Sequence, residues 1–118
     1  MAENPDYVRE SALAGHGRFS VVPAAYVVFL RGADGDREVL LQLRRGTGFM
    51  DEHWACAAAG HVERGESVYA AATREAEEEV GVTAVELVPL TAMQRSQHTG
   101  KPVDERVDYF FAATSWTG

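Results

Sequence analysis

Three glutamates, Glu75, Glu78 and Glu79, stand at i, i+3 and i+4 in a stretch whose pattern is helical over residues 67–80. At those spacings all three carboxylates project from one helical face. Like charges so placed each cost a helix a few tenths of a kcal/mol. The acidic run 77–79 also falls in the last turn, where the helix dipole disfavours anions and a sequence chosen for stability would carry Lys or Arg. A solvated acidic face is the plain reading of three glutamates taken alone. Local chemistry broken without visible compensation nevertheless marks function, and a bound cation resolves it. Clustered carboxylates with no Cys or His at ligand spacing select a hard metal, Mg2+ or Mn2+, over zinc. Mg2+ held by a few carboxylates keeps positions open to water and typically serves a phosphate substrate.

Strand, turn and helix patterns flank the glutamate cluster on both sides. Residues 19–30, rich in Val, Tyr and Phe, read as a long strand, with Pro23 suggesting an edge position or a bulge near its start. A turn at 32–36 and a second strand over 38–44 make a hairpin with a loop longer than two residues. Residues 45–53 form a loop, and a short apolar segment, 54–59, leads to Gly60. Gly81 stops the helix and Ser67 or Glu66 caps its start. Val68, Ala72, Ala76 and Val80 give it a narrow stripe of apolar and small residues for close packing on a sheet. Segments 85–90, 93–98 and 106–113 are three further strands. Strands before and after one helix predict a mixed α/β domain. Asn4-Pro5-Asp6 opens a short helix or a loose arm over 1–17, so the domain proper is expected over 18–118.

The 118 residues suit one domain, and 46% hydrophobic with 25% charged residues is the balance of a soluble globular protein. No apolar run approaches the roughly 20 residues that span a bilayer, so no membrane partner is expected. The acidic start lacks the basic and apolar regions of a signal peptide, which makes the cytoplasm the expected location. Eleven Lys and Arg against 18 Asp and Glu leave a net charge of −7, which opposes a phosphate backbone and excludes a nucleic-acid polymer as partner. The excess is concentrated: residues 60–82 hold six acids against two arginines, −4 of the −7. Cys56, the sole cysteine, lies in an apolar run and reads as a buried structural thiol.

The spacing around the glutamates is more specific than the cluster. Gly60, five residues, Glu66, seven residues, Arg74-Glu75-Ala76, one residue, Glu78-Glu79, one residue, then Gly81-Val82 resembles the signature of the Nudix hydrolase family, G-x5-E-x7-R-E-U-x-E-E-x-G-U with U apolar, at every fixed position. Seven fixed residue types at set spacing match by chance on the order of once in a million chains. The resemblance implies a Nudix-type α/β/α sandwich with a mixed sheet. Family domains usually continue past the point where Gly118 falls, so the family's C-terminal strand and helix are expected to be lacking.

The same resemblance implies an enzyme that uses water and Mg2+, with Mn2+ as a substitute, to cleave a nucleoside diphosphate linked to another group. By motif position Glu78 and Glu79 are metal ligands, and Glu75 is a further ligand or the group that helps deprotonate the attacking water. Arg74 is similar to the family arginine that orients a motif glutamate, a role compatible with a simple i, i+4 ion pair to Glu78. Gly60 and the carbonyl of Ala59 correspond to the turn that often completes the coordination. Arg44 and Arg45, at a strand end facing the loop, are candidates to hold a substrate phosphate. Phe49, Trp54, Tyr109 and Phe111 are candidates to stack a base, against a core role. His53, His61 and His98 have no supporting spacing. Subfamilies acting on ADP-ribose or dinucleoside polyphosphates often carry Pro or Tyr about sixteen residues after the motif. His98 stands there, which favours a nucleoside triphosphate or a broad substrate range. The alternatives are a nucleotide-binding sensor of the same fold without turnover, and an acidic interaction module. A short domain would expose sheet surface that a second copy covers, so a homodimer is an expected partner state.

Overall fold

A computed structural model describes residues 19–118; the arm expected over 1–17 lies outside the described residues. The hydrophobic strand at the start becomes β1 (Val22–Arg31) and runs through the middle of a mixed six-stranded sheet. On one side β1 pairs in parallel with β6 (Glu105–Thr117), from Val22↔Arg106 to Phe29↔Ala113. Two antiparallel partners share its other edge: β4 (Ala58–His61) along residues 24–27 and β2 (Glu38–Leu43) along residues 29–31. Outside β2 lies β3 (Trp54–Cys56), and outside β6 lies β5 (Thr83–Ser96), both antiparallel. Because β2 and β4 leave the same edge of β1, they part from one another. The candidate site lies where they diverge.

The helix α1 (Val68–Val80) packs on one face of this sheet. Ser67 caps it, its hydroxyl accepting the Ala70 N–H at 3.0 Å. Gly81 closes it in the left-handed conformation at φ 78°, which costs glycine least, and donates its N–H to the Glu77 carbonyl at 3.0 Å. Ala71, Ala72 and Ala76 are fully buried and meet Ala25, Val27, Phe29 and Ala58 in the core. Alanines on the contact face let the helix backbone approach the sheet closely. The apolar stripe is therefore centred on Ala71, Ala72 and Ala76, with Val68 and Val80 only partly buried at its ends. Replacing Ser67 by Ala is expected to cost about 1 kcal/mol, read as a lower denaturant midpoint at unchanged slope.

Three expectations change. Pro23 lies in no edge strand: β1 is flanked on both sides, and Pro23 is tolerated as its second residue, where its carbonyl accepts the Val62 N–H at 2.9 Å. The strands expected at 85–90 and 93–98 are one strand, β5, whose register against β6 shifts at Thr83/Glu86, Glu86/Leu87 and Pro89/Thr91. Such irregularities absorb Pro89 without ending the strand. The segment 54–59 splits between β3 and β4, which pair with different neighbours. Among the described residues no helix is long and apolar enough to cross a membrane.

Candidate active site

The turn from β4 into α1 brings the motif residues together. Glu63 to Glu66 form a tight turn with Gly65 in the third position at φ 89°, and Glu66 Oε1 accepts the Glu63 N–H at 2.8 Å. Ser67 is the helix cap, which leaves the Glu66 carboxylate free to meet Arg74, eight residues further on. Arg74 is the hub. Its Nη2 lies 2.6 Å from Glu66 Oε1 and 3.1 Å from the His61 carbonyl; its Nη1 lies 2.7 Å from Glu75 Oε1 and 3.3 Å from Glu78 Oε2. The hydrogen bonds from Arg74 hold the Glu66 carboxyl below its ordinary value, and those carboxylates make Arg74 more basic still. Arg74 thus makes the i, i+4 pair with Glu78 and also ties the motif turn to the helix.

Glu75 is the buried acid of the helix, 8% exposed, directed at β4. Gly60 is what admits it: a Cβ there would overlap the Glu75 carboxylate, with Oε2 at 2.8 Å and the other atoms closer. Any side chain at this position displaces Glu75. The variant Gly60→Ala is therefore expected to lose at least about tenfold in turnover, with a stability cost of about 1–3 kcal/mol for overpacking. Steady-state rates and denaturation on the same preparation check it.

Glu79, one turn on from Glu75, reaches the other side of the same backbone segment and accepts the Ala59 N–H at 3.2 Å. Its carboxyl is pushed above the ordinary value, chiefly by burial and then by the negative charge of Glu75, while the Ala59 N–H and Arg44 pull the other way. Glu78 remains exposed on Arg74. Among the described residues no three acidic, His or Cys side chains stand together as a ready cage. What the structure brings together is a pair, Glu75 and Glu79, astride the Ala59–Gly60 backbone. The donors are oxygens only, the charge of Glu75 disfavours a second charge on Glu79, and Gly60 makes room for the Glu75 carboxylate. That set fits a hard divalent cation.

Beside Glu79 opens a cleft of about 390 Å³. Its walls include Tyr26 of β1, Arg44, Phe49 and Trp54, with Ala59 and Glu79 at one side. The loop 44–53 is folded around Asp51, which accepts the backbone N–H groups of Thr47 and Gly48 at 3.1 Å each as well as the Thr47 hydroxyl. The Thr47 hydroxyl is the first of the contacts that lower the Asp51 pKa. Arg44 Nε donates to the Phe49 carbonyl at 2.9 Å, and its guanidinium lies 5.6 Å from the Phe49 ring centre. Arg45 does not line the cleft: it faces outward, 3.6 Å from Glu52, both exposed.

The aromatic candidates divide in the same way. Phe49 and Trp54 are exposed on the cleft, whereas Phe111 is buried beneath Tyr69 on the helix side and Tyr109 packs against the same core. Cys56 is half-buried rather than buried and lines the cleft from β3. Tyr26 was not singled out by the sequence, although its alternation with the core residues Ala25 and Val27 places it on the opposite sheet face.

The NUDIX domain family matches residues 21–118, and the chain belongs to that family, whose hydrolases act on phosphoanhydride bonds. Among solved structures, the C. elegans Ap4A hydrolase is similar at 26% identity over 83% of this chain and 80% of that one, TM-score 0.59. Its binary complex gives 30% identity over 80% and 66%, TM-score 0.58. A MutT/nudix family protein from Enterococcus faecalis shares the fold with a TM-score of 0.68 at 23% identity, over 96% of this chain but only 44% of its own. The NUDIX domain of Shewanella oneidensis NrtR, in complex with ADP ribose, shares it with a TM-score of 0.64 at 16% identity, over 90% and 70%. No curated protein sequence matches the chain. Proteins of this family bind small nucleotides and generally use divalent metal ions.

Proposed function

We propose that the protein hydrolyses a nucleoside diphosphate linked to another group, with a nucleoside triphosphate as the favoured substrate and Mg2+ as the cofactor. The observation that carries this reading is the Glu75–Glu79 pair, of which Glu79 lines a cleft that also presents the exposed rings of Phe49 and Trp54. Glu75, Glu79 and Glu78 would hold the cation together with the backbone of Ala59 and Gly60. When bound, Mg2+ supplies the charge that neutralises the phosphates and acidifies the attacking water. Arg74 fixes the orientation of the Glu75 carboxylate through the 2.7 Å contact. One carboxylate of the Glu75–Glu79 pair accepts the water's proton. Arg44, held at the rim by its own loop, offers its remaining N–H groups to a phosphate. Phe49 and Trp54 provide faces on which a base can stack.

A second reading, a dinucleoside polyphosphate as substrate, is favoured by the 26–30% identity to the C. elegans Ap4A hydrolase. A third, a nucleotide sensor without turnover, retains the cleft and loses the chemistry. A panel of nucleoside triphosphates, diadenosine tetraphosphate and ADP-ribose, incubated with and without Mg2+, separates them by the phosphate or pyrophosphate released. Mg2+-dependent release from a triphosphate is the expected result. Release independent of metal, or none across the panel, would overturn the hydrolase reading.

A further inference from the structure

Tyr26 lines the cleft from the sheet face opposite α1, and its ring lies stacked on Phe110 of β6, 4.8 Å between centroids and 20° between planes. Its hydroxyl oxygen accepts a hydrogen bond from Arg106 Nη2 at 3.1 Å. Arg106 stands beside Asp108, 2% exposed, with Nε 3.5 Å from Oδ1. Arg95, across on β5, brings its Nε to 2.5 Å from Oδ2 of the same carboxylate. Neither Nε makes an aligned hydrogen bond, and Asp108 Oδ1 has none. Asp108 thus holds two guanidinium groups by charge more than by directed bonds. A buried carboxylate is costly even when matched, and apolar residues would serve a strand face better for stability alone. The cluster needs a reason beyond packing, and its one link to the cleft is Tyr26.

We propose that Asp108 and Arg106 are positioning residues for Tyr26, and that Tyr26 donates its hydroxyl proton to an acceptor oxygen or nitrogen of the nucleotide in the cleft. The inference rests on the nucleotide reading of that cleft. A phenol whose oxygen accepts a bond from a guanidinium has its proton free to donate, and the cationic partner strengthens the donation. Asp108 anchors Arg106 by its charge, Arg106 fixes the hydroxyl, and the Phe110 stack fixes the ring.

Affinity reads this without requiring turnover. Binding of ATP, GTP and diadenosine tetraphosphate in the presence of Mg2+ is measured by calorimetry for the wild-type chain, Tyr26→Phe, Asp108→Asn and the double variant, with melting curves on each. Tyr26→Phe is expected to weaken the best-bound nucleotide about tenfold, with the fold kept and a melting temperature lower by a few degrees at most, since Arg106 loses one acceptor. Asp108→Asn should weaken it comparably, and the double variant no more than Tyr26→Phe alone, because the residues act in series. Should Asp108→Asn fail to fold, Arg106→Lys takes its place in the cycle. An unchanged affinity in Tyr26→Phe, or losses that multiply in the double variant, would overturn the inference. Wild-type protein that binds nucleotide with these dependences but hydrolyses none would overturn the hydrolase reading alone. Wild-type protein that binds no nucleotide would overturn both.

Discussion

The variant Glu79→Gln is expected to lose about 10²–10⁴-fold in nucleotide turnover while its metal-free melting temperature stays equal or rises. The two halves have one cause. Glu79 carries a raised pKa because burial and the Glu75 carboxylate disfavour its charge. The native state therefore binds this proton more tightly than the unfolded chain does. Stability that comes from its proton is present below the unfolded-state value and is lost as pH rises through the native one. At neutral pH, without metal, the Glu79 carboxylate weakens the fold. Glutamine keeps the shape, lets an oxygen accept the Ala59 N–H and removes the repulsion, so the gain should be present at pH 7 and vanish under acid conditions. With Mg2+ the order should reverse, because a ligand bound by the native state stabilises wild-type and not the variant. Paired melting curves, at pH 7 with and without Mg2+ and at pH 4 without it, read all three signs. A variant of full activity would place the chemistry elsewhere.

Replacing Arg74 by Ala should give a larger loss of stability than any replacement at the cleft. Arg74 is the counter-charge of the buried Glu75, bridges Glu66 and ties down the His61 carbonyl. Removing one partner of a buried pair leaves the other charge uncompensated, and with these side chains partly exposed the expected cost is about 2–4 kcal/mol. Turnover should fall with it, since Glu75 loses the contact that orients it. The acid limb carries an independent sign. Glu66 has a depressed pKa, so its contribution is present above the unfolded-state value and is lost as pH falls through the native one. Wild-type stability should decline through that acid window, and Arg74→Ala should decline less, having already lost the bond. Denaturation at pH 7 and pH 3 checks both, and equal acid sensitivity in the two proteins would contradict the Arg74–Glu66 link. Arg74→Lys should fall between, because a point charge cannot serve Glu66, Glu75 and Glu78 from one planar group.

The helix and its ends were readable because their determinants are local: Ser67, Gly81 and the alanine face lie within one stretch of chain. The motif placed Glu75, Glu79 and Gly60 on facing elements, and the overlap of a Gly60 Cβ with the Glu75 carboxylate gives that spacing a steric reason. What escaped reading depends on partners distant in sequence. Pro23 suggests an edge strand until β4 and β6 are known to close on both sides of β1. The irregularities of β5 depend on its register against β6, which no local pattern encodes. Arg44 and Arg45 are adjacent and chemically alike, yet the fold of the 44–53 loop around Asp51 turns one to the cleft and the other to Glu52. Tyr26 joins the cleft only because β2 and β4 part beside it.

Glu75 and Glu79 are proposed as the heart of a divalent-cation site that serves a nucleotide in the adjoining cleft. Mn2+ binding, followed by electron paramagnetic resonance with ATP present and absent, tests it most directly on wild-type and Glu79→Gln. Wild-type protein should capture Mn2+ and hold it more tightly with ATP, with the variant markedly weaker in both conditions. Equal Mn2+ binding by the two proteins, with and without ATP, would mean that the carboxylate pair holds no cation.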